Sequence, residues 1–174
     1  MKTFSLILLA LVAVMNIVST PLFAGEPRLL LDGEYQRELF QQVKQAKDSI
    51  YISTFVFKLG KHPKNKVNQL VQLLAKAVKR GVKVVVLLEK SDHNKSLNQD
   101  NQTTAKRLKQ LGVQVRFDHP KRQSHGKVAI FDESWILLGS HNLTHSALAK
   151  NHEVSLLWQQ PEEAKRLLRY LNSL

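Results

Sequence analysis

The sequence predicts an α/β domain in which a mixed β-sheet carries helices on both faces. Short apolar runs rich in β-branched residues alternate with segments whose apolar residues recur at helical spacing. Residues 82–88 (VKVVVLL) form a run typical of a central strand. Two further runs flank residues 132–134 and are predicted to form an antiparallel hairpin. Strands that alternate with helices, together with a hairpin, indicate a mixed sheet between helical layers.

Each element follows from its own pattern. Apolar residues repeat at helical spacing within residues 35–47, 67–78, 103–111 and 161–171. Gly81 and Gly112 are typical of helix ends, and Pro161 suits a first helical turn. Strands are predicted at residues 49–57, 82–88, 113–117 and 151–158, and polar residues 61–66 and 91–101 are predicted as loops. No linker or repeat interrupts residues 25–174, so we expect one domain there.

Residues 1–24 have the features of a signal peptide. Lys2 gives a positive start, residues 4–18 are an apolar run, and cleavage is predicted after Ala24. The run is shorter than the ~20 residues that a spanning helix needs. The alternative is an uncleaved anchor that holds the domain on the outer face of an inner membrane. Both interpretations predict export, to the periplasm or the medium, and a membrane partner is expected only for the uncleaved form.

The chain is strongly basic and contains no cysteine. It has 26 Lys and Arg against 14 Asp and Glu, a net charge of +12. Lys2 is the only charged residue before Gly25, which leaves +11 on residues 25–174. Such a field attracts polyanions, either nucleic acid or an anionic membrane surface; the alternative is that the charge only aids solubility. The absence of cysteine excludes disulfides, thiolate zinc sites and cysteine nucleophiles.

One pattern, H-x-K-x4-D-x6-G-S-x-N, carries the predicted chemistry. Its residues are His125, Lys127, Asp132, Gly139, Ser140 and Asn142. Hydrolysis of an anionic phosphodiester without a metal needs a neutral nucleophile, cations on the non-bridging oxygens and an acid for the leaving oxygen. Histidine can attack or donate a proton near neutral pH. An ammonium and an amide can hold phosphate oxygens.

The spacing places these side chains together on the predicted hairpin. His125 and Lys127 are two residues apart, so they point to one face of the first strand. If Phe131 pairs with Trp135, then Ser140 and Asn142 fall beside His125. Asp132 has the wrong parity for that face and lies in the turn, so we expect it to brace the site without touching the substrate.

Other residues near the motif have two interpretations each. Glu153 begins a strand and could accept a hydrogen bond from His125, holding its tautomer, or could be an ordinary exposed glutamate. Lys121 and Arg122 could line the groove that leads to the phosphate, or be solvated loop charges. His141 and His145 have a spacing that could bind a metal on a helix, but no acidic residue completes such a site, and we expect none.

The motif resembles that of the phospholipase D superfamily. With one motif copy, a signal segment and a high pI, the chain is similar to the small Nuc-type bacterial endonucleases of that superfamily over roughly residues 28–174. The resemblance implies the phospholipase D-like fold and hydrolysis of DNA or RNA without metal or cofactor. It also implies a homodimer with the active site at the interface.

By the same resemblance, His125 would attack phosphorus in one subunit and act as the acid in the other, through a phosphohistidine. Lys127, Asn142 and Ser140 would bind phosphate oxygens, with Asp132 and Glu153 as supporting carboxylates. Two other functions remain open from the sequence alone. One is a phospholipid phosphodiesterase, since the same chemistry serves both substrates, and the other is a nucleic-acid binding or uptake protein.

Overall fold

A computed structural model describes residues 25–119 and 121–174. The predicted signal peptide lies outside this part of the chain and stays a prediction. Seven strands of the described residues form one sheet: β1 (Arg28–Leu31), β2 (Ser49–Thr54), β3 (Lys83–Leu88), β4 (Gln114–Phe117), β5 (Lys127–Phe131), β6 (Trp135–Gly139) and β7 (Val154–Gln159). The same part of the chain forms five helices: α1 (Gly33–Gln45), α2 (Lys66–Lys79), α3 (Lys95–Gln110), α4 (His145–Ala149) and α5 (Pro161–Asn172).

The sheet is mixed, as predicted. Its strand order is β1-β7-β6-β5-β2-β3-β4. Strands β2, β3 and β4 run parallel, whereas β5 runs antiparallel to β2, and β6, β7 and β1 continue the antiparallel half. Every residue of β2 is buried because this strand lies at the centre with helices on both sides. Its neighbour β5 carries the motif lysine, so the two halves of the sheet meet beside the motif.

Helices cover both faces, which confirms the predicted fold class. Apolar side chains of α1 to α4 pack on one face, for example Leu39, Leu74, Leu108 and Leu148. On the other face, α5 is the helix of the described residues that packs against the middle of the sheet. In the described part of the chain, no helix combines the length and apolar character needed to cross a membrane.

The largest difference from the sequence prediction is α3. Residues 91–101 were expected to be a loop, yet the helix begins at Lys95 and continues to Gln110. Asn94 caps it by accepting a hydrogen bond from the Leu97 backbone N–H at 3.0 Å. Its first turns are polar because two polar side chains face inward. Asn101 accepts from the Phe57 backbone N–H at 2.9 Å, and Thr104 bonds to the Phe57 carbonyl oxygen. Polar residues therefore occupy inward-facing positions of this helix, and the apolar repeat that predicts a helix is absent from its first turns.

Two short elements have no counterpart in the sequence prediction, and β5 starts later than expected. The edge strand β1 and the single-turn helix α4 are too short to show a period. His125 was placed on the first hairpin strand, but β5 begins only at Lys127. The hairpin register itself is as predicted, with Phe131 opposite Trp135 and Val128 opposite Leu138.

Gly139, where β6 meets β7, should not accept a side chain. A Cβ there would lie 2.0 Å from Ser155 Oγ and 2.5 Å from Ser155 Cα. We expect Gly139→Ala to lower the free energy of unfolding by about 1–3 kcal/mol, because the side chain would force β7 away from β6. Gly126→Ala is the matched control, since its Cβ would meet only Val128 Cγ2 at 4.0 Å. Urea unfolding of both variants checks this, and equal losses would contradict the steric account.

Candidate active site

All motif residues except Asp132 gather at the edge of the sheet where the parallel strands β2, β3 and β4 end. There β5 begins with Lys127, and β6 ends at Gly139, followed by Ser140 and Asn142. The loop after β2 contributes Phe55, and the start of β7 adds Glu153. The site is thus assembled from both halves of the sheet, with the β5–β6 hairpin at its centre.

Lys127 is a buried cation, with only 8 % of its surface exposed. Its Nζ donates a hydrogen bond to the His125 carbonyl oxygen at 2.7 Å and lies 5.4 Å from the centre of the Phe55 ring. Burial lowers the pKa of Lys127, and the negative charge of Glu153 partly offsets that effect. Since an ammonium has three N–H donors and this bond uses one, the group can still bind an anion.

His125 is exposed at the mouth of the site. Its ring meets the Phe55 ring edge-on, with the two centroids 4.6 Å apart. Partial burial and the nearby charge of Lys127 both lower the pKa of His125 below its ordinary value of 6.5. The imidazole is therefore the neutral form at neutral pH, which is the form that can attack an electrophile.

Asn142 holds an unsatisfied polar atom in the site. Its Oδ1 is buried and has no hydrogen-bond partner among the described residues. The chain beyond it is fixed, because the Leu143 backbone N–H donates to the Val56 carbonyl oxygen at 2.9 Å. Buried amide atoms are normally paired, so the site offers a place for a ligand. Turned about its Cβ–Cγ bond, the amide presents its NH2 group there, as a phosphate oxygen requires.

Glu153 does not bond to His125 within the described chain, contrary to the expected orienting contact. Its carboxylate accepts from the Ser140 hydroxyl and from Asn151 Nδ2, the latter at 3.0 Å. Pairing of Gly139 with Ser155 brings the start of β7 beside Ser140, and so directs the carboxylate toward that serine. The alternative of an ordinary exposed glutamate stays open, since both of these hydrogen bonds lie at the surface. Glu153 acts on the motif lysine through its negative charge, which raises the pKa of Lys127.

Asp132 lies in the hairpin turn at the opposite edge of the sheet, about 20 Å along the chain from His125. Asp132 and Glu133 both have φ of 49°, a conformation that non-glycine residues rarely adopt. The Asp132 carboxylate accepts from the backbone N–H groups of Lys47, Asp48 and Ser49 at 2.8–3.1 Å. The residue thus ties the hairpin to the α1–β2 connection, and at that distance it cannot touch a substrate held by His125.

The two motif-proximal histidines are engaged by protein groups. His141 is buried and stacks on Tyr35 at 4.0 Å, and its ring nitrogens contact Ser155 Oγ at 2.7 Å and the Asp32 carbonyl oxygen at 3.1 Å. His145 Nδ1 accepts from the Lys66 backbone N–H at 3.3 Å. Across the described residues, no group of three or more His, Asp and Glu side chains is arranged to hold a metal.

Residues that the sequence prediction missed surround His125. Phe55 contacts both His125 and Lys127, and two buried carboxyl groups, Glu89 and Asp118, bond to the segment that precedes the histidine. The sequence position of Glu89 and Asp118 could have identified them. Both directly follow parallel strands, at the edge where such sheets bind ligands. Lys121 and Arg122 lie exposed in the same segment, and Lys121 lines a cavity with Glu89.

Comparison with known proteins gives the family. The family described as "Cardiolipin synthase, PLD-like domain" matches residues 39–174. Cardiolipin synthase B of Escherichia coli K12 is 28% identical over 141 residues, which cover 76% of this chain and 32% of that protein. Phospholipase D of Rickettsia prowazekii is 28% identical over 131 residues, covering 75% of this chain and 58% of that protein. The chain therefore spans only part of the length of these relatives.

Solved structures show the same fold. Nuc from Salmonella typhimurium, a phospholipase D family member, has a TM-score of 0.70 at 24% identity and covers 85% of this chain and 93% of its own. NucT from Helicobacter pylori has a TM-score of 0.65 at 21% identity and covers 85% and 94%. The phospholipase D-like sheet and its helices are thus common to all three chains.

Asp132 should matter for stability in a pH-dependent way. Burial alone would raise its pKa, but the hydrogen bonds from the Ser49, Asp48 and Lys47 amides lower it below 3.8. The Asp132 carboxylate therefore contributes to the free energy of unfolding at pH values above its pKa in the unfolded chain. This contribution is lost as pH falls through the lower pKa that Asp132 has in the folded protein. We expect Asp132→Asn to lower the free energy of unfolding by about 1.5–3 kcal/mol at pH 7, the range for hydrogen bonds to a charged group.

Thermal unfolding of Asp132→Asn and wild type from pH 7 to pH 2 measures the effect. The difference between them should shrink at the acid end as the wild-type carboxylate takes up a proton. Glu133→Gln, which changes the neighbouring turn carboxylate, serves as the control. A difference that is constant over the whole pH range would show that the Asp132 charge is not what stabilises the turn.

Proposed function

Because the chain belongs to the PLD-like domain family, we propose that it is a metal-independent endonuclease that hydrolyses phosphodiester bonds of DNA or RNA. The observation that carries this proposal is one cluster at one edge of the sheet. It consists of the neutral His125, the buried Lys127 ammonium and the Asn142 amide, whose Oδ1 has no hydrogen-bond partner among the described residues. Such a cluster supplies a nucleophile and donors for phosphate oxygens without a metal.

The chemistry follows in two displacements. A ring nitrogen of His125 attacks phosphorus, a P–N bond forms, and the P–O bond to the leaving oxygen breaks. A second histidine gives that oxygen its proton. Water then attacks phosphorus, passes a proton to the second histidine, and the P–N bond breaks to restore His125. Lys127 and Asn142 hold the non-bridging oxygens throughout, and their hydrogen bonds strengthen as charge accumulates there.

The charge of the chain favours nucleic acid as substrate. Residues 25–174 carry +11, and a polyanion gains from each phosphate that a Lys or Arg neutralises. Lys121 and Arg122 are exposed just before His125, and we expect them to contact a nucleic-acid backbone that enters the site. The similarity of the sequence to Nuc-type endonucleases supports the same assignment.

A phospholipid phosphodiesterase is the second candidate. It is supported by the relatives named cardiolipin synthase B and phospholipase D. The chemistry at phosphorus would be unchanged, with a lipid headgroup as leaving group.

We also propose export through residues 1–24, either with cleavage to give a periplasmic or secreted protein or without cleavage as an outward-facing anchored one.

The working unit we propose is a two-fold dimer. One histidine cannot stand on both sides of phosphorus, so a second copy must supply the acid. The exposed part of the sheet face beside the site suits that role. Leu29, Leu31, Leu138 and Val154 share one face of β1, β6 and β7, beyond the area that α5 covers, and Leu31 and Val154 are each 55% exposed. This apolar surface adjoins Ser140 and Glu153, so a copy seated on it would lie against the site.

Parallel assays of one preparation distinguish the candidate functions. Full-length protein is incubated with plasmid, RNA and phosphatidylglycerol vesicles in excess EDTA. We expect cleavage of nucleic acid, abolished by His125→Asn and reduced about 10²–10³-fold by Lys127→Ala. His119→Asn, an exposed histidine in the same loop, is the control.

Each other outcome has a definite meaning. Hydrolysis of the lipid alone would replace the first candidate by the second. Binding of plasmid or RNA without turnover would indicate an uptake or binding protein. Loss of cleavage in EDTA with recovery on adding Mg²⁺ would refute the proposed mechanism.

The dimer makes a separate prediction. Heterodimers of wild type and His125→Asn should be nearly inactive, because one phosphate needs both histidines; half the wild-type activity would mean independent sites. Val154→Lys should give folded monomers without activity. Tyr170→Lys on α5 is the matched control, since Tyr170 is equally exposed at 56%. Sedimentation of both variants with activity assays decides the matter, and an active monomeric Val154→Lys would end the dimer proposal.

A further inference from the structure

We propose that Glu89 and Asp118 form a proton-sharing carboxyl pair that positions His125 through the backbone of Ser124. The two residues are neighbours because each directly follows one of two paired parallel strands, with Leu88 of β3 opposite Phe117 of β4. Glu89 is 2% exposed and Asp118 is 6% exposed. The effect of this carboxyl pair on catalysis rests on the function proposed above, whereas the existence of the pair does not.

Both carboxyl groups bind the same backbone N–H. The Ser124 N–H donates to Glu89 Oε2 at 2.7 Å and to Asp118 Oδ2 at 3.1 Å. The other Asp118 oxygen accepts from the Lys90 backbone N–H at 2.8 Å. The carboxyl pair is therefore fixed at the strand ends and holds a loop that has no strand or helix of its own.

Such a pair needs one proton. Two carboxylates that share one donor repel each other, and burial removes the water that would screen them. Burial, followed by the hydrogen bond with Asp118, raises the pKa of Glu89 to about 7. With Glu89 protonated, its hydroxyl donates to Asp118 and the repulsion becomes a hydrogen bond. The pair then carries one negative charge, which suits a backbone N–H.

The surrounding charges lie in one small cavity. Asp92 and His93 from the loop after β3, and Lys121 from the loop before β5, line it together with Glu89 and enclose about 610 Å³. All three are exposed. Water screens their effect on the pair, so Asp118 is the partner that decides whether Glu89 keeps its proton.

The pair acts on the nucleophile because Ser124 immediately precedes His125. The backbone of His125 is held from two sides: by the carboxyl pair at Ser124 N and by Lys127 Nζ at the His125 carbonyl oxygen. When pH rises through about 7, the pair gains a second negative charge and its hydrogen bond is lost. We expect the Ser124 segment to shift, and cleavage to fall on the alkaline side for that reason.

The sign of the stability effect is opposite to that of Asp132. The folded pKa of Glu89 lies above its ordinary value of 4.5, so the native state binds more protons between pH 4.5 and 7. The free energy of unfolding therefore falls as pH rises through that window and is flat above it. Glu89→Gln, which keeps one acceptor for Ser124 and one donor for Asp118, should remove this dependence.

Amide NMR on the full-length protein tests the pair without any substrate. In wild type, the Ser124 amide and the His125 ring signals should both show a step with a midpoint near pH 7, separate from the step at lower pH at which the His125 ring itself titrates. In Glu89→Gln this step should disappear from both, while Asp92→Asn, which removes a charge in the same cavity, should retain it. If Ser124 shows no step near pH 7, or if His125 does not follow Ser124, the proposal is wrong.

Activity against pH supplies the catalytic test. Glu89→Gln should cleave as wild type does at pH 6 and keep its rate above pH 7, where wild type declines. Glu89→Leu, which removes the acceptor, should lose about 10²-fold in kcat, as expected for a misplaced nucleophile. Equal losses in the Gln and Leu variants would overturn the positioning role. If no substrate is cleaved, the NMR result still decides the pair, and only the proposed function fails.

Discussion

The burial of Lys127 at the start of β5 is the constraint on which the site depends. A buried ammonium is unfavourable unless other groups compensate it. Here a carbonyl oxygen, the Phe55 ring and the charge of Glu153 do so. That carbonyl belongs to His125, so the cation proposed to bind phosphate also holds the backbone of the proposed nucleophile, and its charge helps to keep the His125 imidazole neutral. One residue thus sets the position and the protonation state of the other.

The carboxyl groups of the motif region serve the backbone more than the reacting atoms. Asp132 accepts three amides at the far turn, and Asp118 with Glu89 accepts the amide of Ser124. Glu153 accepts the Ser140 hydroxyl. Each of these groups thus holds a loop or turn by a hydrogen bond. The surroundings of Lys127 and Asn142 are thereby fixed. Donor groups that are already in position can stabilise charge on a reacting phosphate without reorganising first, as the proposed function requires.

The sequence predicts the register of the motif hairpin correctly. Side chains on a strand alternate with period two, and Phe131 and Trp135 flank a tight turn. It fails at α3, where inward-facing Asn101 and Thr104 conceal the helical period. It also fails for Glu153, whose partner depends on where β7 pairs, and for the carboxyl pair, which exists only because β3 and β4 are neighbours. These features arise from contacts between distant segments, and a local pattern does not record them.

A symmetric dimer gives the two histidines the same surroundings, yet the proposed chemistry asks one to be neutral and the other protonated. The lowered pKa of His125 suits the nucleophile and opposes the acid. An anionic phosphate placed between the two rings resolves the conflict, because its charge favours one added proton, and the first proton disfavours a second by repulsion. The two rings then titrate as a coupled pair with two macroscopic pKa values. In the dimer we propose, the substrate would therefore supply the asymmetry that two identical subunits lack.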